Sequence, residues 1–175
     1  MLALATNVLA ALTGSASGGG ISSNEGYSIT PSLAIEPDGS PMVAWMDTEP
    51  GPDIYFRRWN GSAWVELGSG SASGGGISKT GNAVDPSLAI APSGMPIVAW
   101  EDNSSGNSEI YVRRWNGSAW VEMGTGSASG GGISKNTGSS NAPSLAIGTD
   151  GAPVVTWTDN TTVNREIYVR RWNGS

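Results

Sequence analysis

Tryptophan, carboxylate and arginine recur together three times along this chain. In each set an apolar segment ends in a tryptophan, an acid stands two positions later, and a second apolar segment ends in Arg-Arg-Trp. An indole face beside a carboxylate and a guanidinium can stack on a sugar ring and hydrogen-bond its hydroxyl groups. The candidate ligand-binding residues are Trp45, Asp47, Arg58, Trp59, Trp100, Asp102, Arg114, Trp115, Trp157, Asp159, Arg171 and Trp172.

The same residues also have a purely structural interpretation. Flat aromatic side chains suit packing between sheets, and the acids and arginines can pair with one another. Three nearly equal copies argue against an enzyme, because catalysis usually needs one specialised site. We therefore expect no catalytic residues and a non-enzymatic scaffold or interaction protein. The alternative is a multivalent, lectin-like carbohydrate-binding protein with one weak site per repeat, and a glycan-acting hydrolase is the least favoured class.

Composition excludes several kinds of chemistry. The 175 residues contain no cysteine and no histidine, so thiolate metal sites and the commonest general base are absent. The net charge of −6 at pH 7 argues against a nucleic-acid partner, which needs a basic face. No apolar run approaches the ~20 residues that span a bilayer. We expect no metal, no cofactor and no membrane insertion, and the polar composition favours an extracellular or cell-surface bacterial protein.

Three longer strings repeat at intervals of 55 to 57 residues. PSLAI begins at Pro31, Pro86 and Pro143, RRWNGS at Arg57, Arg113 and Arg170, and GSASGGGIS at Gly14, Gly70 and Gly126. A constant period of this size indicates one supersecondary unit copied in tandem. The chain is therefore predicted to be a single repeat domain, 1–175, with repeats at 14–69, 70–125 and 126–175.

Within the second repeat, four short strands are predicted. They lie at 87–90, 96–100, 109–115 and 119–123, and they are rich in β-branched and aromatic residues. Pro92-Ser93-Gly94 marks a turn between the first two strands, and Asn116-Gly117 marks a hairpin between the last two. No segment has a sustained helical period. Each repeat is thus an antiparallel unit of four strands, followed by a Gly/Ser-rich loop.

The strings PSLAIxPxGxPxVAWxD and EIYVRRWNGSAWVELG resemble the repeats of bacterial β-propeller proteins. The resemblance extends from Gly14 to the last residue and implies an all-β β-propeller of four-stranded antiparallel blades, three per chain. The long GSASGGGIS segment departs from compact blades, and small residues suggest that it faces the central channel. The resemblance specifies architecture and says little about function.

The repeat boundaries predict how the blades close into a ring. Trp64 and Trp120 mark two fourth strands, whereas the third repeat reaches Ser175 before its own. Residues 1–13, with a candidate strand at 7–12, could complete a blade of a partner chain; the alternative is a residual signal sequence. Since propellers have four or more blades, strand exchange predicts a six-bladed homodimer. A nine-bladed homotrimer and a fragment of a longer propeller are the alternatives.

Overall fold

A computed structural model describes residues 16–174, which form eleven β-strands in three antiparallel sheets. The candidate strand at 7–12 lies outside the described residues. Within 16–174 the structure contains no helix, and accordingly no helix long and apolar enough to cross a membrane. Each repeat forms its own sheet, and we refer to the three sheets as the first, second and third blades.

Strands follow one another in simple sequential order within each blade. The first blade contains β1 (Ser28–Ile35), β2 (Pro41–Asp47), β3 (Asp53–Trp59) and β4 (Trp64–Val65). The second contains β5 (Ala83–Ile90), β6 (Pro96–Asp102), β7 (Glu109–Trp115) and β8 (Trp120–Glu122). The third contains β9 (Ser140–Ile147), β10 (Pro153–Asp159) and β11 (Glu166–Arg171). The predicted four-strand unit is confirmed in two blades, and the described residues supply three strands of the last one.

The first strand of each blade is longer than the sequence predicts. β5 begins at Ala83, and its register against β6 shifts between Val84 and Ser87. Asp85, inside this irregularity, has a φ of 51°. A bulge of this kind lets the ladder pass Pro86, which has no N–H to donate. The prediction that the strand starts after the proline was therefore too short.

The blades are held together by contact between opposite faces of neighbouring sheets. We call the face directed toward the next blade the forward face, and the opposite one the rear face. In the first blade Ile54 and Phe56 on the forward face are 0% exposed, and they share one apolar cluster with the rear face of the second blade. The same contact recurs between the second and third blades. The second cluster contains Ile97, Ala99, Ile110, Val112, Leu145, Val155 and Trp157.

The first strands of the blades lie side by side and form the inner side of the arc. β1 contacts β5, and β5 contacts β9. The Oγ of Ser32 accepts a hydrogen bond from Leu88 N at 3.0 Å, and the Oγ of Ser87 accepts one from Leu145 N at 2.9 Å. This arrangement leaves the third and fourth strands on the outer side.

The second and third GSASGGGIS segments, 70–78 and 126–134, lie on this outer side, so for them the expectation that they face the channel is wrong. Phe56 N donates to Ser71 O at 2.7 Å, and Ile77 N donates to Ile54 O at 2.7 Å. β4 spans only two residues and cannot pair with all of β3, so the loop supplies the missing backbone partners. The segment completes the edge of the blade instead of lining its axis.

Glycine is required where this loop approaches β3. Gly76 has a φ of 60°, and an added β-carbon would overlap the carbonyl group of Ile54; Gly74 has a φ of 56° with no atom within 4 Å. We expect Gly74→Ala to cost about 1 kcal/mol, the cost of a left-handed alanine. Gly76→Ala should cost at least about 2 kcal/mol more, because the backbone itself must move. Urea unfolding of both variants measures the difference, and equal losses would contradict the close approach.

Candidate functional site

The tryptophans that end the second strand of each blade are in the core. Trp45, Trp100 and Trp157 are 2%, 0% and 4% exposed. Each indole stacks on the tyrosine opposite it in the next strand, with ring centroids 6.1 Å apart. As folded, these rings have no free face for a ligand. The stacked pairs are Trp45–Tyr55, Trp100–Tyr111 and Trp157–Tyr168.

The aspartates two positions after these tryptophans are also buried, and each is enclosed by hydrogen-bond donors. Asp102 is 0% exposed and accepts from Thr80 Oγ1 at 2.7 Å, Ser104 N at 2.9 Å and Trp100 Nε1 at 3.1 Å. Asp47 and Asp159 are surrounded in the same way. These carboxylates fix the loops around them, which is a structural role.

A four-residue segment of sequence Ile-Ser-x-Asn/Thr precedes each blade, and we call it the clip. The clips are residues 21–24, 77–80 and 133–136. In the second clip Ser78 Oγ donates to Asp53 Oδ1 at 2.6 Å and accepts from Ile54 N at 2.8 Å. Thr80 N donates to the same Asp53 oxygen at 2.8 Å, and its hydroxyl group reaches Asp102 of the next blade.

The third clip repeats this arrangement one blade further along. Ser134 and Asn136 bind Glu109 of the second blade, and the Asn136 side chain donates to Asp159 of the third. The acid that begins the third strand of one blade is thus connected with the acid that ends the second strand of the next. Asp53 and Glu109 are 4% and 1% exposed, so both are committed to the blade junctions.

The two arginines of each Arg-Arg pair point in opposite directions. Arg58 pairs with Glu36, Arg171 pairs with Asp150, and Arg114 is exposed. Arg113 instead turns toward the first blade, where its Nη1 donates to Ile77 O at 2.6 Å. Arg113 and its counterparts were not among the sequence candidates. The alternation of side chains along β7 could have identified Arg113 from the sequence, because it places this residue on the same face as Tyr111 and Trp115.

A cleft is present at the same place at both blade junctions. The cleft between the first and second blades encloses about 310 Å³, and that between the second and third about 520 Å³. Each is formed by the Gly/Ser-rich loop of one blade and the end of the third strand of the next. The equivalent lining residues are Gly68 and Gly124, Ser71 and Ser127, Gly76 and Gly132, Ile77 and Ile133, Arg113 and Arg170, and Trp115 and Trp172.

Of the sequence candidates, Trp115, Arg171 and Trp172 line these clefts. The Trp115 ring packs directly over Gly68, where an added β-carbon would overlap it. Its edge meets Trp120 at a centroid distance of 6.0 Å and an angle of 60°. Trp59 packs on Trp64 in the same way at 5.8 Å. The structure thus places Trp115 and Trp172 beside an open cleft, although Trp115, like Trp59, is only 9% exposed.

The cleft at the first junction is lined by cations. Burial lowers the pKa of Arg113, while the carboxylates of Glu122 and Asp102 oppose that shift; an arginine nevertheless keeps its charge. Lys79 also lines this cleft, and no carboxylate is among the lining residues that the structure describes. The arrangement can therefore donate hydrogen bonds to hydroxyl or anionic oxygens beside an aromatic ring.

Asp159 provides a test of the clip in solution. Burial alone would raise its pKa, but hydrogen bonds from Ser140, Thr161 and Asn136 hold the pKa far below its ordinary value. The carboxylate therefore contributes stability above the unfolded pKa of about 3.9, and this is lost as the pH falls toward the folded pKa. We expect Asp159→Asn to cost about 1–3 kcal/mol at pH 7.

The difference between wild type and Asp159→Asn should shrink below about pH 4, where the Asp159 carboxylate of the unfolded chain begins to protonate while that of the folded chain stays charged. Urea unfolding at several pH values measures it. Asp85→Asn is the matched control, because Asp85 is exposed, and it should leave the pH dependence unchanged. A constant difference between Asp159→Asn and wild type at all pH values would contradict this account.

The fold is similar to that of several carbohydrate-related proteins of known structure. No protein-family model matches the sequence, and no curated protein matches it. A fucose lectin from Kordia zhangzhouensis in complex with methyl-fucoside superposes with a TM-score of 0.51 at 13% identity, covering 83% of this chain and 93% of the lectin.

Two larger proteins show the same similarity. A glycosyl hydrolase from Bacteroides ovatus gives a TM-score of 0.50 at 11% identity, covering 82% of this chain and 49% of the hydrolase. An endo-arabinase from Bacteroides thetaiotaomicron gives 0.50 at 15%, covering 81% and 55%. The chain thus spans about half the length of these two proteins and nearly all of the lectin. At such identities the similarity concerns the fold, and the chain has the all-β, bladed architecture of a β-propeller.

Proposed function

We propose that the protein is a non-enzymatic carbohydrate-binding module that holds a saccharide in the clefts between neighbouring blades. The observation that carries this proposal is the recurrence of one lining, with tryptophan, arginine and a Gly/Ser-rich loop, at both junctions. An aromatic ring beside hydrogen-bond donors suits a sugar ring and its hydroxyl groups. Repeated sites of this kind can convert weak individual binding into avidity.

The lining favours an acidic saccharide. Arg113 and Lys79 lie at the first cleft and Arg170 at the second, where the neighbouring Arg171 is already paired with Asp150. Guanidinium groups bind carboxylates through paired, charge-assisted hydrogen bonds. The structural neighbours include a lectin in complex with a fucoside and two glycan-related enzymes, which supports carbohydrate as the ligand class. A uronic acid or another sugar with a carboxylate is the ligand that best fits the cationic clefts.

The disposition of the acids supports a role without catalysis. Most glycosidases place two carboxyl groups on either side of the bond that they cleave. Here Asp53 and Glu109 are held by clips at the blade junctions. Glu122, near the first cleft, accepts from Gly126 N and Ala128 N, both at 3.1 Å. Carboxylates that are already saturated with donors are poorly placed to act as acid and base.

A second candidate function is a scaffold that assembles with itself, as a six-bladed homodimer or a nine-bladed homotrimer. Apolar side chains exposed at both ends of the arc favour it. Leu33 in the first blade is 61% exposed, and Ile167 and Val169 in the third are 74% and 62% exposed. Contiguous apolar surface of this kind marks interaction sites. Self-assembly and glycan binding are compatible, because the clefts and the exposed ends are different surfaces.

Glycan binding can be tested with acidic and neutral sugars of matched length. We expect oligomers of galacturonic acid to change the tryptophan fluorescence saturably and oligomers of galactose to bind at least tenfold more weakly. Arg113→Gln should weaken binding of the acidic oligomer about tenfold, because it removes a charge-assisted hydrogen bond. Arg114→Gln is the matched control, since this neighbouring side chain is exposed and should leave the affinity unchanged.

The outcomes separate the candidate functions. If neither sugar changes the tryptophan fluorescence saturably, the glycan-binding proposal is contradicted and the scaffold function is favoured. Equal binding of the two sugars would contradict the preference for an acidic ligand. A loss with Arg114→Gln but not with Arg113→Gln would favour the residues predicted from the sequence. Thermal unfolding of both variants shows whether either substitution acts through the fold.

A further inference from the structure

The two ends of the arc expose residues that are buried wherever a neighbouring blade is present. On the forward face, Ile54 and Ile110 are 0% exposed, whereas the equivalent Ile167 in the third blade is 74% exposed. On the rear face, Leu88 is 6% exposed, whereas the equivalent Leu33 in the first blade is 61% exposed. The third blade therefore presents an uncovered forward face, whereas the first blade is uncovered along β1, while Val43, Trp45 and Tyr55 on the same rear face are buried.

The clips show the same incompleteness in hydrogen bonding. The first clip binds forward, since the Asn24 side chain donates to Asp47, but its serine has no acid behind it. Glu166 begins β11 at the position of Asp53 and Glu109, and no clip reaches it. Within residues 16–174 the side chains of Ser22 and Glu166 have no hydrogen-bond partner. The described chain thus has a clip serine without its acid at one end, Ser22, and an acid without its clip at the other, Glu166.

We infer that the forward face of the third blade binds the first clip and the exposed β1 side of the first blade of a second copy of this chain. The inference rests on the proposed self-assembly and specifies its interface. Ser22 Oγ of one copy donates to the Glu166 carboxylate of the other and accepts from Ile167 N, as Ser78 does with Asp53 and Ile54. Asn24 N donates to Glu166, as Thr80 N does to Asp53.

A second copy is the occupant because the two exposed faces are repeats of faces that already bind each other twice in the chain. Ile167 and Val169 correspond to Ile110 and Val112, which pack on the rear face of a following blade. Leu33 corresponds to Leu145, which forms that rear face. An unrelated partner would have to reproduce both the apolar surface and the clip. The contact is head-to-tail, so it closes into a ring when the rotation between blades closes.

The particle mass tests whether the chain associates at all. One chain has a mass of 17.9 kDa, and light scattering should give about twice that value, or three times it for a nine-bladed ring. Ile167→Asp should weaken association at least tenfold and shift the mass toward that of one chain, because a charge replaces an apolar contact. Val163→Asp is the matched control, since Val163 is fully exposed outside the strands, and it should leave the mass unchanged.

Cross-linking tests the contact itself, and the absence of cysteine in the chain provides a clean background. Mixing a Ser22→Cys chain with a Glu166→Cys chain and adding a short bismaleimide should give a covalent pair on a denaturing gel. Replacing the first chain by Ser62→Cys, with its cysteine in an exposed turn, should give none. Circular dichroism of each variant checks that the fold is retained.

Three results would overturn the inference in different ways. A wild-type mass of one chain at all concentrations would remove both the proposed self-assembly and this interface. A larger wild-type mass that Ile167→Asp leaves unchanged, with no cross-link between positions 22 and 166, would keep self-assembly but place it on another surface. Loss of association in Val163→Asp as well would show that added charge, rather than this face, controls the mass.

Discussion

The structure depends on neighbouring sheets burying their facing surfaces against each other. A single repeat unit cannot bury its apolar faces alone, so each blade needs its neighbours. At the first junction Ala44 of one blade and Trp100 of the next are both 0% exposed and belong to one cluster. Burying a tryptophan contributes roughly 4 to 6 kcal/mol as an upper bound, so these contacts dominate the stability of the arc.

Each hydrogen bond of a clip contributes less free energy than the apolar packing, but the clips determine how the blades are aligned. A neutral hydrogen bond contributes about 1 kcal/mol, and one to a charged group somewhat more. A buried carboxylate that lost its donors would be strongly unfavourable. The burial of Asp53 and Asp102 is therefore favourable only while Ser78 and Thr80 donate hydrogen bonds to them. Apolar packing attracts one blade to the next, and the clip selects the alignment in which both acids are satisfied.

The sequence was sufficient for the repeat, the strands and the turns, because periodicity, apolar alternation and Asn-Gly signals are local. It was insufficient for the Gly/Ser-rich segments, which carry no apolar pattern; their place beside β3 follows from the shortness of β4, a property of the folded edge. The residue types at Trp100 and Asp102, an indole and a carboxylate, fit a binding site as well as a buried structural role. Only the burial of both residues distinguishes the two roles.

The nearly identical repeats explain why assembly and multivalent binding can belong to the same protein. Because the forward faces resemble one another, the proposed self-assembly would reuse the kind of contact that already joins neighbouring blades within the chain. The clefts follow from the same repetition, because Gly76 and Gly132 leave room beside Arg113 and Arg170 at successive junctions. Each further blade junction would therefore add both interface and binding site, and affinity for a repetitive glycan would increase with the number of junctions in the ring.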